Sequence, residues 1–531
     1  MSDQDSSAAS SGGAVSLERL AEVLATVQRQ CPELAVLAIR WMHLRHPLHP
    51  LQDALLRGAP APGGSGPLRG IRRLTESVIY AGYCWGRLLA LRLRTRQELA
   101  AVTRQSFDLI AKSWVRSMEG ADCDGDFYYG DLQQRLARQG IRVLLLCGNL
   151  GGEGWTRFAK ACARAPLPRL SELCLLPLAA PLRMLARQWR ACRRLRRLAA
   201  TAEDALVKRI SRLASLECLA PETARAGFYY WIGQTAVRAW RPRAFLTVYE
   251  AQGWEQALRW GLKTADPACC VLGYQHTFVF PEARSLVAPP RTTGLPLHPD
   301  VVLCLGQRPR EQLRAGHEPY GARLVPFGSL WYRPARAEAP AAPSRRTVLV
   351  VPEGHPSAVQ PLFQFACACA RRLPSYTFLL RGHPVFPRTP ALRAVLEGLP
   401  QQPNAVFSER HVLEDDIGRS SIVLYRGSWA VVSAILHGLL PVYVMLPGGD
   451  GHDPLAGLTA WHARCETPEE LAGVLARHER APRDRLEADW RAAAQDLHDW
   501  TGPVTEASLE ALLEAAGLRS QARAITEAIH A

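Results

Sequence analysis

The residues best suited to chemistry in this chain of 531 residues stand directly after short apolar runs that predict strands. Three such endings lie in the second half of the chain, and their polar and glycine residues are Glu353, Gly354 and His355; Arg381, Gly382, His383 and Pro384; and Arg426, Gly427 and Ser428. Guanidinium and imidazole groups bind phosphate, glycines let a ligand approach the backbone, and a hydroxyl adds a donor. The endings therefore predict a site for a phosphate-bearing ligand.

Two further strand-like runs, residues 243–250 and 269–276, end in Glu250 and in Gln275 with His276. Glu250 is the candidate general base that removes a proton from a hydroxyl, because partial burial can raise the pKa of a carboxylate towards neutrality. Glu255 lies one helical turn further on and is the substitute candidate. The sequence leaves open whether His276 binds a ligand or lies in the core.

The spacing of apolar residues predicts the elements that hold these endings. Strand-like and helix-like runs alternate in two separate regions, which is typical of parallel βαβ units. The predicted parts are a disordered tail at 1–16, a mostly helical region with one early strand at 17–240, a first lobe at 241–332, a linker at 333–346, a second lobe at 347–460, and helices at 461–531. We therefore predict an α/β protein with two Rossmann-like lobes and a helical N-terminal region. Ligands bind such sheets beyond the carboxyl ends of the strands, so the polar endings are expected to line a shared cleft.

The composition limits the kinds of partner that the protein is expected to bind. The formal net charge is +15, and most of the cationic excess is Arg. That excess suits an anionic substrate or membrane surface, but a plain solvated surface explains it equally well. The sequence has no zinc-finger pattern, RNA-binding strand signature or basic tail, so nucleic acid is not an expected partner. The fourteen cysteines lack CxxC pairs, and the start lacks a signal-peptide pattern, so we expect reduced thiols in a cytoplasmic protein.

Neither a metal site nor a membrane span is predicted. The segment GGDGHDP, residues 448–454, holds Asp450, His452 and Asp453 but reads as a loop. No segment reaches the roughly 18 apolar residues that a span needs. Residues 173–198 place Leu182 at helical spacing from other apolar residues among seven arginines. This pattern predicts either a helix lying on an anionic membrane surface or a surface helix packed on the core.

The second-half endings resemble the donor lobe of GT-B glycosyltransferases, and are most similar to capsule Kdo transferases and bacterial sialyltransferases. The resemblance rests on residues 381–384 and on Gly427 and Ser428, which open a helix that ends in HGLLPVYV. The first-lobe runs YEAQGWEQALRWGLK and VLGYQHTFVFP look like those of a bacterial surface-carbohydrate biosynthesis family. The similarity covers roughly 240–450, which is under half of the chain.

The resemblance implies a glycosyltransferase of capsule, O-antigen or lipopolysaccharide biosynthesis. It would move a Kdo-like or sialic-acid-like sugar from a CMP-sugar, without a metal, to a polysaccharide or lipid-linked acceptor, in the cytoplasm or at the inner face of the membrane. His383 would contact the CMP phosphate, while the Gly427 backbone and Ser428 would hold phosphate or carboxylate. The sequence departs from the pattern at Ser433, where a ribose-binding Glu is expected, and at Thr277, where related chains have Gly after Gln-His.

Three alternatives stay open. A transferase of glycerol phosphate or ribitol phosphate from a CDP conjugate would need a second histidine in the donor lobe, and His355 is available. A UDP-sugar glycosyltransferase is the second alternative, although the residue at Ser433 argues against it more than against a CMP-sugar enzyme. A non-catalytic assembly protein with the same fold is the third.

Overall fold

The computed structural model describes residues 15–45, 48–59, 67–115, 126, 128–150, 153–288, 298–332, 346–354, 356–383, 396–410, 412–446, 453–458 and 460–519. The predictions for Pro384, His355, Asp450, His452, nearly all of the tail and nearly all of the linker lie outside these residues. Ser16 is described, and its hydroxyl caps the first helix by accepting from the backbone N–H of Arg19.

Two separate parallel sheets organise the chain, which confirms the predicted fold class. The seven strands of the first sheet are β1 (Leu109–Val115), β2 (Val143–Asn149), β3 (Arg169–Ser171), β4 (Ala244–Val248), β5 (Cys270–Tyr274), β6 (Val301–Cys304) and β7 (Arg323–Pro326). The six strands of the second sheet are β8 (Thr347–Val351), β9 (Thr377–Leu380), β10 (Ala405–Phe407), β11 (Ile422–Tyr425), β12 (Leu440–Val444) and β13 (Ala463–Cys465). Most of these strands are buried along their length, as expected for parallel sheets covered on both faces.

Nineteen α-helices are described, in addition to short 3-10 turns. Those up to the start of β4 are α1 (Leu17–Gln30), α2 (Leu34–Leu37), α3 (Pro50–Leu56), α4 (Pro67–Arg94), α5 (Arg96–Thr103), α6 (Leu132–Arg138), α7 (Trp155–Ala163), α8 (Ala180–Thr201), α9 (Ala205–Glu217) and α10 (Pro221–Trp240). The later ones are α11 (Gly253–Ala265), α12 (Arg284–Val287), α13 (Gln307–His317), α14 (Pro356–Arg372), α15 (Leu413–Ile417), α16 (Ala430–Leu436), α17 (Pro468–Arg480), α18 (Arg483–Trp500) and α19 (Glu506–Ala515).

The first lobe begins much earlier than residue 241. The prediction of a single early strand within 17–240 is wrong, because β1, β2 and β3 all lie there and pair in the first sheet. The apolar spacing of residues 97–114 suggested one helix, but α5 ends at Thr103 and β1 starts at Leu109. The cause is a change of apolar period from helical to extended inside one short segment, which a single periodic template does not detect.

Both sheets follow the doubly wound order in which the first and fourth strands are neighbours. The first sheet runs β3-β2-β1-β4-β5-β6-β7, and the second runs β10-β9-β8-β11-β12-β13. The chain direction across the sheet therefore reverses between β1 and β4, and between β8 and β11. Loops leave such a switch point in opposite directions and open a crevice at the carboxyl ends of the two strands, where ligands bind.

The predicted C-terminal helices divide between the two lobes. Strand β13 and helices α17 and α18 belong to the second lobe, whose core includes Trp490 and Leu497. The chain then returns, and Leu509 and Leu512 of α19 join the core of the first lobe. Ser329 and Pro503 form a bridge where the chain passes between the lobes.

Among the described residues, no helix is both long enough and apolar enough to cross a bilayer.

Candidate functional site

Glu250 lies at the switch point of the first sheet, two residues beyond the end of β4. The next residue, Ala251, has a φ of 55°, in the left-handed region that non-glycine residues rarely adopt. This turn directs the chain straight into α11, which begins at Gly253. Strained backbone of this kind persists where surrounding contacts hold it, and it is frequent at ligand sites.

The residues of the YEAQGWE segment hold the Glu250 carboxylate from two directions. The side-chain amide of Gln252 donates to Glu250, and the indole of Trp254 donates to Gln252 at 3.2 Å. From the neighbouring strand β5, the imidazole Nε2 of His276 lies 3.2 Å from Glu250 Oε1. The sequence therefore fixes the position of this carboxylate through its own loop and through a residue 26 positions later.

The environment of Glu250 makes it strongly acidic. Burial alone would favour the neutral form, but hydrogen bonding from His276, the charges of His276 and Arg45, and the Gln252 amide lower its pKa to about 2. The carboxylate is therefore ionised at neutral pH, and 26% of the side chain is exposed. The prediction that Glu250 acquires a pKa near neutrality does not agree with these contacts, because the partners outweigh burial.

Glu255 shows the opposite behaviour. Its side chain is fully buried, and burial raises its pKa to about 7, although Arg259 at 3.4 Å acts in the other direction. Both carboxylate oxygens accept from the backbone N–H of Glu250, at 3.1 and 3.3 Å. Glu255 therefore holds the backbone of the Glu250 turn in position. Because its side chain has no exposed surface, it is poorly placed as a substitute base.

Gln275 has a structural position. Its side chain is fully buried, its carbonyl oxygen accepts from Leu305 N–H at 3.1 Å, and its amide donates to the carbonyl of Thr277. These bonds tie the end of β5 to the end of β6. The imidazole of His276, which follows, has a buried Nδ1 with no hydrogen-bond partner among the described residues, and its binding to a ligand stays a prediction.

The second lobe brings its predicted residues together at its own switch point, through two close glycine contacts. A Cβ added to Gly427, after β11, would lie 2.9 Å from the Glu353 carboxyl carbon, after β8. A Cβ added to Gly354 would lie 2.8 Å from the imidazole of His383, after β9. Glycine is thus required at both positions if Glu353 and His383 are to keep their places. The residues that follow β8, β9 and β11 therefore form one cluster.

Arg426 and Ser428 complete this edge. The guanidinium Nε of Arg426 is buried without a hydrogen-bond partner among the described residues, 4.0 Å from Glu353 Oε1. Ser428 is buried, and its carbonyl accepts from Val431 N–H at 3.2 Å as α16 begins. Ser433 lies within α16 and is partly buried, with its carbonyl accepting from the His437 ring at 2.8 Å.

The side chain of Arg381 is held by contacts within the second lobe. Its guanidinium forms an ion pair with the fully buried carboxylate of Asp416 and contacts the carbonyls of Arg410 and Val412 at 3.3 Å. Ser408 donates to the same carboxylate at 2.6 Å. The arginine ties β9 to α15, and its predicted contact with the donor stays a prediction.

Aromatic side chains next to the two clusters pack against one another. The ring of Phe278, two residues after His276, lies 4.6 Å from the ring of Trp429, which directly follows Ser428. Phe278 also contacts Trp500, at the end of α18, with ring centroids 6.1 Å apart. The loops that carry the two sets of polar residues therefore touch one another across the lobe boundary.

Beside the Glu250 turn lies a cavity that no sequence pattern predicted. It encloses about 570 Å³, including its open mouth, and is lined in part by Leu24, Met42, His43, Gln252, Arg259 and His298. Burial, followed by the charge of Arg259, lowers the pKa of His43 to about 4 and that of His298 to about 3. Both imidazoles are therefore neutral at pH 7. The N-terminal helices thus contribute an uncharged wall to the first lobe's site.

The two doubly wound parallel sheets define the class of fold: a protein with two Rossmann-like lobes. No family model and no curated protein matches the sequence. Among solved structures, the chain is similar to the trehalose 6-phosphate synthase of Burkholderia multivorans, with 12% identity over 79% of this chain and 100% of that one and a TM-score of 0.45. It is also similar to the glycotransferase of kitacinnamycin, with 14% identity over 77% and 99% of the two chains and a TM-score of 0.41. A putative UDP-N-acetylglucosamine 2-epimerase from Listeria monocytogenes gives 12% identity over 77% and 95%, also at 0.41. At these values the function has to be argued from the site.

Proposed function

We propose that the chain is a nucleotide-sugar-dependent glycosyltransferase. The observation that carries this proposal is the contact between Phe278 and Trp429, because it brings the loop of the carboxylate–imidazole pair against the loop of the second-lobe cluster. Transfer of a sugar needs both: a base that takes the proton of an acceptor hydroxyl, and donors that stabilise the departing phosphate.

The second-lobe cluster would hold the donor. His383 and the Ser428 hydroxyl would donate to phosphate oxygens, and the Arg426 guanidinium, which lies 4.0 Å from Glu353 Oε1, would add positive charge beside them. When the bond between the anomeric carbon and the phosphate oxygen breaks, the bonding electrons go to that oxygen. Fixed donors stabilise the resulting charge without reorganisation.

The Glu250–His276 pair would receive the proton. The acceptor hydroxyl approaches the exposed edge of the Glu250 carboxylate while its oxygen bonds to the anomeric carbon. The Glu250 carboxylate would take the proton as the new carbon–oxygen bond forms, and the contact of 3.2 Å between His276 Nε2 and Glu250 Oε1 would hold the carboxylate in place. The cavity beside Gln252 would hold the acceptor sugar.

The finer assignment is a CMP-linked sugar acid of the Kdo or sialic-acid type, transferred to a surface polysaccharide or its lipid-linked precursor. Two features support it. The Arg426 guanidinium, whose Nε makes no hydrogen bond within the described part of the chain, would suit a carboxylate on the donor. Ser433 leaves α16 without a carboxylate for the ribose of a UDP-sugar. Glu353, held against Gly427, is the carboxylate that the structure offers in its place.

Thermal melting of the full chain with CMP, CDP, UMP, UDP or GDP tests the proposal. A nucleotide at one hundred times its dissociation constant stabilises the folded state by about 2.7 kcal/mol, which is visible as a shift of the melting temperature. Stabilisation by CMP, together with release of CMP from a CMP-sugar in the presence of acceptor, supports the sugar-acid assignment. Selective response to UDP or GDP retains the glycosyltransferase and rejects that donor. A response to CDP with transfer of glycerol phosphate or ribitol phosphate, or no response to any nucleotide, rejects the proposal.

A further inference from the structure

Most of the large apolar side chains that stay exposed lie on two helices far from the cleft residues in sequence. Twelve such side chains are exposed in the described part of the chain, and nine of them belong to α4 or to the start of α8. They are Ile71, Val78, Ile79, Tyr83, Trp85 and Leu93 on α4, and Leu178, Leu182 and Trp189 at and within α8. Scattered exposed apolar residues are ordinary, but a concentration of this kind marks an interaction site.

On α4 the apolar residues form a continuous stripe. The helix has 28 residues and is therefore about 42 Å long. Ile71, Val78 and Trp85 recur every seven residues, which places them on one side of the helix. Gly82 and Gly86 lie on the same side, and a Cβ added to either would meet nothing within 4 Å. The described residues leave this side uncovered.

Helix α8 lies beside α4 and runs in the opposite direction. The guanidinium of Arg92, near the end of α4, donates to the carbonyl of Leu176, just before α8, at 3.2 Å. At the other end, a Cβ added to Gly70 would lie 3.1 Å from the guanidinium of Arg196. The two helices therefore lie side by side. We call their exposed residues the two-helix surface.

The two helices carry a strong net positive charge. Helix α4 has six arginines and one glutamate, which gives a net charge of +5, and α8 has seven arginines and no acidic residue, which gives +7. The whole chain has a net charge of +15. Of the α8 arginines, Arg194 pairs with Glu33 at 3.1 Å, while Arg183, Arg190 and Arg193 are exposed.

We propose that the two-helix surface docks on an anionic phospholipid bilayer. Exposed Leu, Ile, Val and Trp side chains flanked by arginines match the boundary between acyl chains and acidic headgroups. A second copy of the chain fits less well, because a symmetric contact would bring the same arginines face to face. The sequence indicated only α8 as an alternative membrane helix, whereas six of the nine exposed apolar side chains lie on α4. The proposal does not depend on the transfer reaction.

Co-sedimentation of the full chain with vesicles tests this docking. The protein is expected to bind vesicles of phosphatidylglycerol and phosphatidylcholine, to bind pure phosphatidylcholine weakly, and to lose binding as salt is raised. Combined Ile71→Ser, Val78→Ser and Leu93→Ser substitutions should reduce binding at least tenfold. Their matched control is Val406→Ser with Val412→Ser, two exposed residues of the second lobe.

A second pair of variants measures the contribution of charge to vesicle binding separately from that of the apolar stripe. Each arginine near an anionic surface raises the affinity for vesicles about fivefold. The double substitution Arg190→Gln with Arg193→Gln should therefore weaken vesicle binding roughly thirtyfold. Arg485→Gln with Arg491→Gln on α18 is the matched control and should bind like the unmodified chain. All these side chains are exposed, so melting temperatures are expected to stay unchanged and to show that each variant folds.

Three results would overturn the proposal. The first is equal binding to neutral and acidic vesicles, or no binding to either. The second is unchanged binding by both the apolar and the arginine variants. The third is a dimer in sedimentation velocity that the Ile71, Val78 and Leu93 substitutions dissociate, without vesicle binding by the unmodified chain, which would assign the surface to a second copy.

Discussion

Replacing Gly354 by alanine moves the His383 imidazole without removing it. The new Cβ would lie 2.8 Å from ring atom Cε1 and 3.1 Å from Nδ1, whereas carbon atoms in contact are normally at least about 3.5 Å apart. The ring must therefore shift by about 0.7 Å. A shift of that size lengthens a charge-assisted hydrogen bond of about 2.8 Å to the limit of hydrogen bonding.

The expected loss follows from the strength of one such bond. Hydrogen bonds to charged groups contribute about 1.5–3 kcal/mol, so nucleotide binding should weaken between about tenfold and about 150-fold. Isothermal titration calorimetry with the nucleotide that stabilises the protein measures the change. Gly154→Ala and Gly502→Ala are matched controls, because a Cβ at either position meets nothing within 4 Å.

A double-mutant cycle assigns the loss to the imidazole. If Gly354→Ala acts by displacing His383, then adding it to His383→Ala should cause no further loss of affinity. Unchanged affinity in both single variants would refute the reasoning that His383 contacts the phosphate. A further loss in the double variant would instead mean that the methyl group at position 354 obstructs the nucleotide directly.

Three more substitutions have defined outcomes. Glu250→Gln should abolish turnover while nucleotide affinity stays within twofold of the unmodified chain, and retained turnover would remove Glu250 from the reaction. Arg381→Met should destabilise the second lobe by about 3–5 kcal/mol, because it leaves the buried Asp416 carboxylate unpaired, and an unchanged melting curve would contradict that. Burial raises the pKa of Glu255 to about 7 from an ordinary 4.5, so the folded chain keeps a proton that the unfolded chain loses. Its contribution to stability is therefore full below about pH 4.5 and declines by about 3 kcal/mol as the pH rises to about 7. Glu255→Gln should remove this decline in melts at pH 5 and pH 8, and an equal decline in both proteins would count against it.

Strands β8, β9, β11 and β12 of the second lobe were readable from the sequence because they are short, mostly buried apolar runs, whereas β13 lies in a segment that was predicted to be helical. Strand β1 was not readable for the opposite reason. Its centre carries Lys112, which is almost fully buried and pairs with Glu172 at 3.1 Å. Its ammonium also lies 3.6 Å from the centre of the Trp114 ring. The charge is compensated by a residue 60 positions later, so no local pattern marks the segment as a core strand.

For the site, strand ends were predictable but partnerships were not. The carboxyl ends of parallel strands meet at one edge, which is why Glu353 and Gly427 could be grouped in advance. The contact between Glu250 and His276 depends on β4 and β5 being neighbours, and it reverses the expected direction of the Glu250 pKa. The engagement of Arg381 with Asp416 depends in the same way on a helix 35 residues further along.

The return of the chain to the first lobe limits how this protein can be dissected. A fragment that ends in the linker would lack Leu509 and Leu512, so its own core would be open. It would also lose the bond of 2.9 Å from the Arg135 guanidinium to the carbonyl of Val504. Expressed alone, such a fragment is expected to aggregate. Because Ser329 and Pro503 are already bridged, a short connection from about residue 331 to residue 502 would restore the missing helix and give a self-contained first lobe.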